Sequence, residues 1–250
     1  MLFDDYSITF DVDWAPDWCI SDIANTLINE KINATWFITH ESKAIDELFD
    51  HPDLFEIGIH PNFLDGSTQG KNPFEIMEYL LNIVPNAISV RTHLLTQSYS
   101  LLKMIREDFG IKCDVSLLLP GASNLTPHEI CYSKGKSLVR IPFFWEDDIE
   151  MNNSAPSFLI ENEKFHVNGL KIFDFHPIHI YLNSYSCQPY RVLKKHINPL
   201  SKISLETVNS HIHNGEGSGK LFLNLIKYLK TRNIKSTKIV DLYNRWEQLK

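Results

Sequence analysis

The 250-residue sequence lacks the surplus of basic residues that nucleic-acid-binding proteins usually carry. It has 24 Lys and Arg against 31 Asp and Glu, which gives a formal charge of −7. A role that depends mainly on electrostatic binding to nucleic acid is therefore not expected. No run of about 18 apolar residues occurs, so no transmembrane helix is expected. The N-terminal Met-Leu-Phe-Asp-Asp-Tyr has neither the basic nor the apolar region of a secretory signal, which favours a cytoplasmic location.

The sequence is also poor in cysteine. Its four cysteines are scattered and form no CxxC pair, so neither a zinc knuckle nor a disulfide framework is expected. No internal repeat or low-complexity segment is visible. We predict a single domain over residues 1–250, since α/β barrels of about this length are commonly one domain.

Short β-rich apolar runs alternate with longer helical patterns along the chain. We predict strands at 6–12, 34–38, 55–59, 87–91, 112–118, 137–141 and 171–175. We predict helices at 21–30, 42–49, 72–83, 98–109, 220–232 and 239–249, with Ser21 and Ser42 as N-caps of the first two. This alternation favours an α/β fold with a mostly parallel sheet. The polar stretches 142–170 and 183–219 are interpreted as long loops.

Two carboxylates lie at the carboxyl end of the first predicted strand. Asp11 and Asp13 lie two residues apart, so their side chains point to the same side if the strand continues. Adjacent like charges repel unless something holds them, and a divalent metal ion often does so. A polar turn with an N-cap aspartate is the alternative explanation.

Histidine, by contrast with cysteine, is abundant at 11 residues, and several histidines follow predicted strands. His60 precedes Pro61 at one strand end, Arg91 and His93 lie at the next, and His176 ends a later strand before Pro177. The carboxyl ends of barrel strands converge on one face, so we predict that these residues share a site with the two aspartates. An Asp-His-His ligand set suits Zn²⁺ or a related divalent ion. Half-buried structural histidines are the alternative for any one of them.

At these residues the chain resembles the polysaccharide deacetylases, that is, the NodB-homology domain of carbohydrate esterase family 4, and within them a WbmS-like branch. The matching motifs are Thr9-Phe-Asp-Val-Asp13, Ala34-Thr-Trp-Phe-Ile38, Glu56-Ile-Gly-Ile-His60, Arg91, Phe175-His-Pro177 and the segment 215–223. The resemblance spans about residues 6–245. It implies a distorted, incomplete (β/α) barrel.

The resemblance also implies a role for each matching residue. Asp11 would be the general base, and Arg91 would hold its carboxylate by a charge-assisted hydrogen bond. Asp13 and His60 would bind the metal. His176 would be the general acid.

One metal ligand of the family pattern is missing. The family supplies a second histidine four residues after the first, and that position is Leu64 here. We expect His93 to replace it, with Asn62, His179 or water as alternatives. His179 is also a second candidate for the acid, although we prefer His176 and expect His179 to bind substrate. A surface loop position is the structural alternative for His179.

Further residues are candidates for orienting the acid and for binding sugar. The family uses a carboxylate to orient its acid histidine, and Asp147 or Asp148 could supply it, with Asp148 as our choice. Trp14 and Trp145 offer faces for sugar stacking, as does Trp18, although core packing is the alternative for each. The basic segment 191–195 is interpreted as a solvated face, or as a contact for an anionic donor or lipid phosphate.

The sequence therefore predicts a metal-dependent hydrolase that removes an N-acyl group from a sugar in surface-polysaccharide biosynthesis. The expected acyl group is N-acetyl. Zn²⁺ is the expected ion, with Co²⁺, Ni²⁺ or Mn²⁺ as alternatives. The N-acylated sugar could belong to a polymer, a lipid-linked oligosaccharide or a nucleotide-sugar, and the oligomeric state is left open. A deformylase or other amidohydrolase, and a non-catalytic carbohydrate-binding descendant of the fold, are the rival functions.

Overall fold

One sheet forms the centre of the computed structural model, which describes residues 2–132, 135–196 and 202–250. Its nine strands are β1 (Tyr6–Asp11), β2 (Ala34–Ile38), β3 (Phe55–Ile59), β4 (Ser89–Val90), β5 (Cys113–Asp114), β6 (His128–Cys131), β7 (Ser137–Arg140), β8 (Trp145–Glu146) and β9 (Lys171–Phe175). Their order is β6-β7-β5-β4-β3-β2-β1-β9-β8. All neighbours are parallel except β6 and β7. The sheet curls into an incomplete barrel, as the resemblance implied.

Helices connect and cover the strands. They are α1 (Asp17–Glu30), α2 (Lys43–Leu48), α3 (Pro73–Ile83), α4 (Tyr99–Glu107), α5 (Asp147–Met151), α6 (Pro177–Tyr181), α7 (Gln188–His196), α8 (Leu205–Asn209), α9 (Ser218–Thr231) and α10 (Ile239–Glu247). Short 3₁₀ helices occupy His93–Leu95 and Glu163–His166. None of the helices in the described ranges combines the length and the apolar character that a membrane crossing requires.

The core lies between the outer face of the sheet and the helices. Alternate residues of the central strands point there, and the rings of Phe10 and Trp36 stack with centroids 4.1 Å apart. Phe222 of α9 packs edge-on against Phe10 and Phe175. The opposite, inner face of β1 and β9 carries polar residues, which leaves the inside of the curled sheet to the candidate site.

The predicted N-caps have different outcomes. Ser42 caps α2 as predicted, since its hydroxyl accepts a hydrogen bond from the backbone N–H of Ile45. The prediction for Ser21 is wrong, because α1 begins four residues earlier, directly after Pro16. Asp17 then lies in the first turn, where its negative charge interacts favourably with the helix dipole and stabilises the helix.

The prediction that 142–170 and 183–219 are loops is wrong in part. The first stretch contains β8 and α5, and the second contains α7 and α8. Most of these elements have two to five residues, which is too short for a periodic pattern to reveal them. The nine residues of α7 are mostly polar, so its apolar face is narrow. Residues 197–201 of the second prediction lie outside the described residues. Strand β6 is likewise absent from the predictions.

Candidate metal and catalytic site

Three predicted metal ligands meet at the carboxyl edge of the sheet. Asp13 lies in the turn after β1, His60 directly follows β3, and His93 begins the 3₁₀ helix after β4. The backbone holds the two histidines in place, since the N–H of His60 donates to Ile38 and that of His93 donates to Pro61. Asp13 and the next residue, Trp14, have positive φ angles of 45° and 55°, so a tight turn brings Asp13 back over the sheet.

The three side chains have the spacing of ligands around one ion. His93 Nδ1 lies 3.0 Å from Asp13 Oδ1, and His60 Nε2 lies 3.3 Å from the same oxygen. His60 Nε2 and His93 Nδ1 are 3.3 Å apart. Ligands bound tetrahedrally to zinc at about 2.0–2.1 Å lie roughly 3.3 Å from one another. The distances and the N, N, O donor set therefore fit a divalent ion.

Solvent can reach this group from one side. The side chain of His60 is 1% exposed, whereas those of Asp13 and His93 are 18% and 17% exposed. Burial alone would raise the pKa of Asp13, but hydrogen bonds from the two histidines hold it well below its usual range. Asp13 is therefore suited to bind a cation through its negative charge, and solvent can reach it.

Leu64 offers no ligand, and the alternatives for the missing position lie elsewhere. Leu64 is 40% exposed on the loop after β3. The side-chain oxygen of Asn62 accepts a hydrogen bond from the Leu64 backbone. Among the described residues, His93 completes the three-residue group with Asp13 and His60.

Asp11 faces the same centre and is held by a buried arginine. Arg91 Nη1 donates to Asp11 Oδ1 over 3.0 Å. The guanidinium is fully buried between the rings of Phe37 and Phe143, at 4.6 and 4.4 Å from their centroids. The other Asp11 oxygen lies 3.5 Å from His60 Nδ1. The carboxylate is thus fixed next to a predicted metal ligand.

A second buried carboxyl shares the arginine, and the sequence predictions missed it. Asp174 Oδ1 lies 2.5 Å from Arg91 Nη1 and 3.2 Å from the hydroxyl of Thr9. Burial raises the pKa of Asp174 well above its usual range, and the nearby Asp11 adds to this against the lowering effect of Arg91. The available signal was an aspartate inside the apolar run Ile172-Phe-Asp-Phe, two residues before His176 and hence on the same face.

His176 and a neighbouring carboxylate form a hydrogen-bonded pair. His176 Nδ1 lies 2.7 Å from Asp147 Oδ1, and the His176 backbone donates to Asp147 Oδ2 over 3.0 Å. Ser218 donates to the same oxygen over 3.0 Å. Burial by itself favours the neutral ring, but the Asp147 carboxylate outweighs it and raises the pKa of His176 well above its usual value. The other ring nitrogen, Nε2, lies 3.7 Å from Asp13 Oδ2 and so faces the metal group.

The choice of Asp148 as the orienting carboxylate is therefore wrong. Asp147 is fully buried and hydrogen-bonded to His176, whereas Asp148 is half-buried and lies near the ring without bonding to it. Helix α5 begins at Asp147. Successive residues of a helix diverge by about 100°, so only one of the pair can point at His176.

His179 is buried rather than exposed on a surface loop. Its Nδ1 lies 2.9 Å from the hydroxyl of Ser184, and its ring centroid is 5.8 Å from that of His176. Burial lowers the pKa of His179, although Asp147 opposes this. The two histidines therefore differ in charge, because His176 favours the protonated form and His179 the neutral one.

The predicted sugar-stacking tryptophans separate into one candidate and two structural residues. Trp14 is half-buried and packs edge-on against His93, with centroids 5.6 Å apart. Trp145 is 4% exposed among Phe165, Phe173 and Phe175, and its Nε1 donates to Glu150. The structure contradicts the prediction that Trp145 stacks on sugar, because aromatic neighbours already cover its faces. Trp18 donates to the backbone of Ile203 and packs on Tyr181.

Comparison with known families and structures identifies relatives of this chain. The family model described as "WbmS-like: Polysaccharide deacetylase" matches residues 8–194. No curated protein matches the chain significantly. A crystal structure from Bordetella bronchiseptica, described as a polysaccharide deacetylase involved in O-antigen biosynthesis, is 28% identical with a TM-score of 0.72. The match covers 89% of this chain and 90% of that one. The peptidoglycan deacetylase PdaC of Bacillus subtilis shares the fold at 11% identity and a TM-score of 0.50, over 99% of this chain and 93% of that one.

Proposed function

Because the chain belongs to the WbmS-like polysaccharide deacetylase family, we propose that it is a metal-dependent enzyme that hydrolyses an N-acyl group, in the first instance N-acetyl, from a sugar. The description of the Bordetella bronchiseptica relative supports a substrate that belongs to O-antigen or another surface polysaccharide. The observation that carries the proposal is the meeting of the Asp13, His60 and His93 group with His176 Nε2, 3.7 Å from Asp13.

Asp13, His60 and His93 are the residues that would hold the ion. Their mutual distances and donor types support Zn²⁺, and Co²⁺, Ni²⁺ or Mn²⁺ could bind the same set. A divalent cation supplies positive charge that makes water more acidic and polarises an acyl carbonyl. The family relation supports the need for such an ion.

Asp11 would act as the general base. Its Oδ2 lies beside the metal group, 3.5 Å from His60 Nδ1, and can accept a proton from an attacking water. Arg91 fixes the other oxygen at 3.0 Å, so the carboxylate is oriented before substrate arrives. The guanidinium that fixes it is itself fully buried.

His176 would act as the general acid. Its raised pKa keeps the ring protonated near neutral pH, and Asp147 fixes Nδ1 so that Nε2–H points into the site. Nε2 can then deliver a proton to the leaving amine nitrogen. His179 and Trp14 border the acid and the metal group, respectively, and would contact the sugar.

The proposal extends to the setting of the enzyme. We propose that residues 1–250 act as one domain, in the cytoplasm, on an N-acylated sugar that is still attached to a nucleotide or lipid carrier. A curled sheet that collects site residues from β1 to β9 supports the single domain.

The experiment that tests the function uses purified, metal-loaded protein with N-acetylated and N-formylated amino sugars. Release of acetate, with activity and metal content lost in His60→Ala and activity alone lost in Asp11→Asn, is the expected result. His128→Ala is the matched control, because this exposed histidine lies on β6. Release of formate alone would identify a deformylase. Full metal binding without hydrolysis of any substrate would favour the non-catalytic alternative.

A further inference from the structure

Helix α7 carries an unusual concentration of positive charge for this acidic protein. Arg191, Lys194 and Lys195 lie within its nine residues, which include no Asp or Glu. All three side chains are exposed, and none has a carboxylate within 4.0 Å among residues 2–132, 135–196 and 202–250. Elsewhere many basic side chains are paired, as in the ion pairs of Lys164 with Glu150 and Lys171 with Asp4. The charge of α7 is thus available to an anionic ligand.

The helix is packed against the candidate site rather than projecting into solvent. Leu193 is 2% exposed in a small cluster with Ile178 and Leu182 of the α6 region. One turn earlier, Tyr190 packs edge-on against His179, with ring centroids 4.8 Å apart. Because α6 directly follows His176, α7 forms a wall on the acid side of the site.

Ring contacts connect the acid histidine with a lysine of α7. The centroid of His179 is 5.8 Å from that of His176 and 4.8 Å from that of Tyr190. Lys194 Nζ lies 5.6 Å from the Tyr190 centroid. The pKa of Tyr190 is raised to about 12, mainly by burial and secondly by the Asp13 carboxylate. Its hydroxyl therefore stays protonated and can donate a hydrogen bond. Three contacts thus connect the proposed proton donor, His176, with the cation of Lys194.

On the basis of the function proposed above, we propose that α7 binds the phosphate of a glycosyl diphosphate and that the substrate is an N-acylated sugar joined to its carrier through this diphosphate. The acyl nitrogen would lie at His176, the sugar ring along His179 and Tyr190, and the phosphate oxygens at Arg191, Lys194 and Lys195. Arginine and lysine form charge-assisted hydrogen bonds with phosphate oxygens. A neutral polymer would make no use of these three charges.

A nucleoside diphosphate and a polyprenyl diphosphate present the same chemistry to α7, so the test includes both. The metal-loaded enzyme is assayed with one N-acetylated amino sugar in three forms, namely the nucleoside diphosphate sugar, a short-chain prenyl diphosphate sugar and the methyl glycoside without phosphate. We expect at least one diphosphate form to have a KM at least about tenfold below that of the methyl glycoside. The diphosphate form with the lower KM identifies the carrier.

Charge-removing variants separate this proposal from a general effect of charge. The triple variant Arg191→Gln, Lys194→Gln, Lys195→Gln is expected to raise the KM of the preferred diphosphate sugar about tenfold, with kcat and the KM of the methyl glycoside unchanged. The control is Lys112→Gln, Lys227→Gln, Lys235→Gln, which removes the same charge from exposed positions outside α7. Added salt should raise the KM of the diphosphate form in the wild type and less so in the α7 variant.

Two results would overturn the inference. One is equal KM values for the diphosphate and methyl forms in a protein that hydrolyses both, which would leave the proposed function intact. The other comes from calorimetric titration with the diphosphate sugar, if the α7 variant binds as tightly as the wild type. Calorimetry needs no turnover, so it also decides the inference if hydrolysis, and hence the proposed function, fails.

Discussion

His93 Nδ1 lies 3.0 Å from Asp13 Oδ1, although the two residues come from different connections of the sheet. His60 Nε2 is 3.3 Å from each of these atoms. The position four residues after His60, where the family supplies a histidine, is Leu64. The proposed ligand set thus has three side chains, with one histidine from the 3₁₀ helix after β4 instead of from the loop after β3.

His93→Ala should weaken metal binding strongly. Loss of even an outer partner of a ligand costs about 10–100-fold in metal affinity, so loss of a ligand should cost at least that much. Competition with a metal chelator measures the affinity, and His128→Ala on β6 is the control. Wild-type affinity in His93→Ala would contradict the assignment of His93 as a ligand, whereas the chelated wild type should match the variant in activity.

Asp147→Asn should lower the pKa of His176. The general acid must be protonated, so activity falls as the pH rises through its pKa, and the raised pKa moves this fall to higher pH. Without the Asp147 charge, the alkaline fall of kcat/KM should move towards pH about 6.5, the ordinary value for histidine. We expect a loss of kcat on the order of 10²–10⁴-fold above that pH. Asp148→Asn is the matched control, and an equal shift in both variants would refute the distinction between them.

Asp174→Asn should be well tolerated, although it removes a buried carboxyl next to an arginine. The raised pKa of Asp174 indicates a neutral carboxyl that accepts through Oδ1, and asparagine reproduces this form. A carboxyl with a raised folded pKa costs stability as the pH rises above its unfolded pKa of about 3.9. Between pH 3 and pH 7, the free energy of unfolding of the variant should therefore increase relative to that of the wild type. Chemical denaturation measures this difference.

Asp114→Asn is the control for that measurement. Asp114 is fully buried and bonded to Arg140 over 2.7 Å, so its neutralisation should cost about 3–5 kcal/mol. A loss of the same size in Asp174→Asn would show that Asp174 is ionised.

Trp145→Phe should reduce stability without affecting substrate binding. The change removes the donor to Glu150 Oε2 in a buried aromatic cluster, and an unsatisfied buried acceptor costs about 1–3 kcal/mol. Thermal unfolding measures the loss, and KM should stay at the wild-type value. Trp14→Phe should instead raise KM with little loss of stability, since Trp14 is half-buried beside His93. A raised KM in Trp145→Phe would restore this tryptophan as a sugar contact.

The sequence was most informative where a strand pattern ends in a polar residue. Asp11, Asp13, His60, His93 and His176 all follow apolar strand patterns. Parallel strands bring their carboxyl ends to one edge, so the meeting of these five residues could be predicted without knowing their distances.

Residues whose position depends on tertiary packing could not be predicted in this way. Whether Asp147 or Asp148 faces His176 depends on where a five-residue helix begins. The partner of Asp174 is Arg91, which directly follows β4 and is 83 residues away in the sequence. Trp145 looked like a sugar contact because nothing in a local pattern shows that four aromatic rings would pack around it.

The order of the strands also has a consequence for how the chain folds during synthesis. Asp13, His60 and His93 all lie within the first 93 residues, whereas β1 pairs with β9, which brings Asp174 opposite Thr9 across 165 residues. At about 5–20 residues per second, roughly 10–30 s separate the emergence of the two strands from the ribosome. The proposed metal ligands would thus be synthesised well before the proposed proton donor, and one edge of β1 would stay unpaired until β9 emerges. The topology therefore separates the proposed metal ligands from the proposed acid histidine in the order of synthesis.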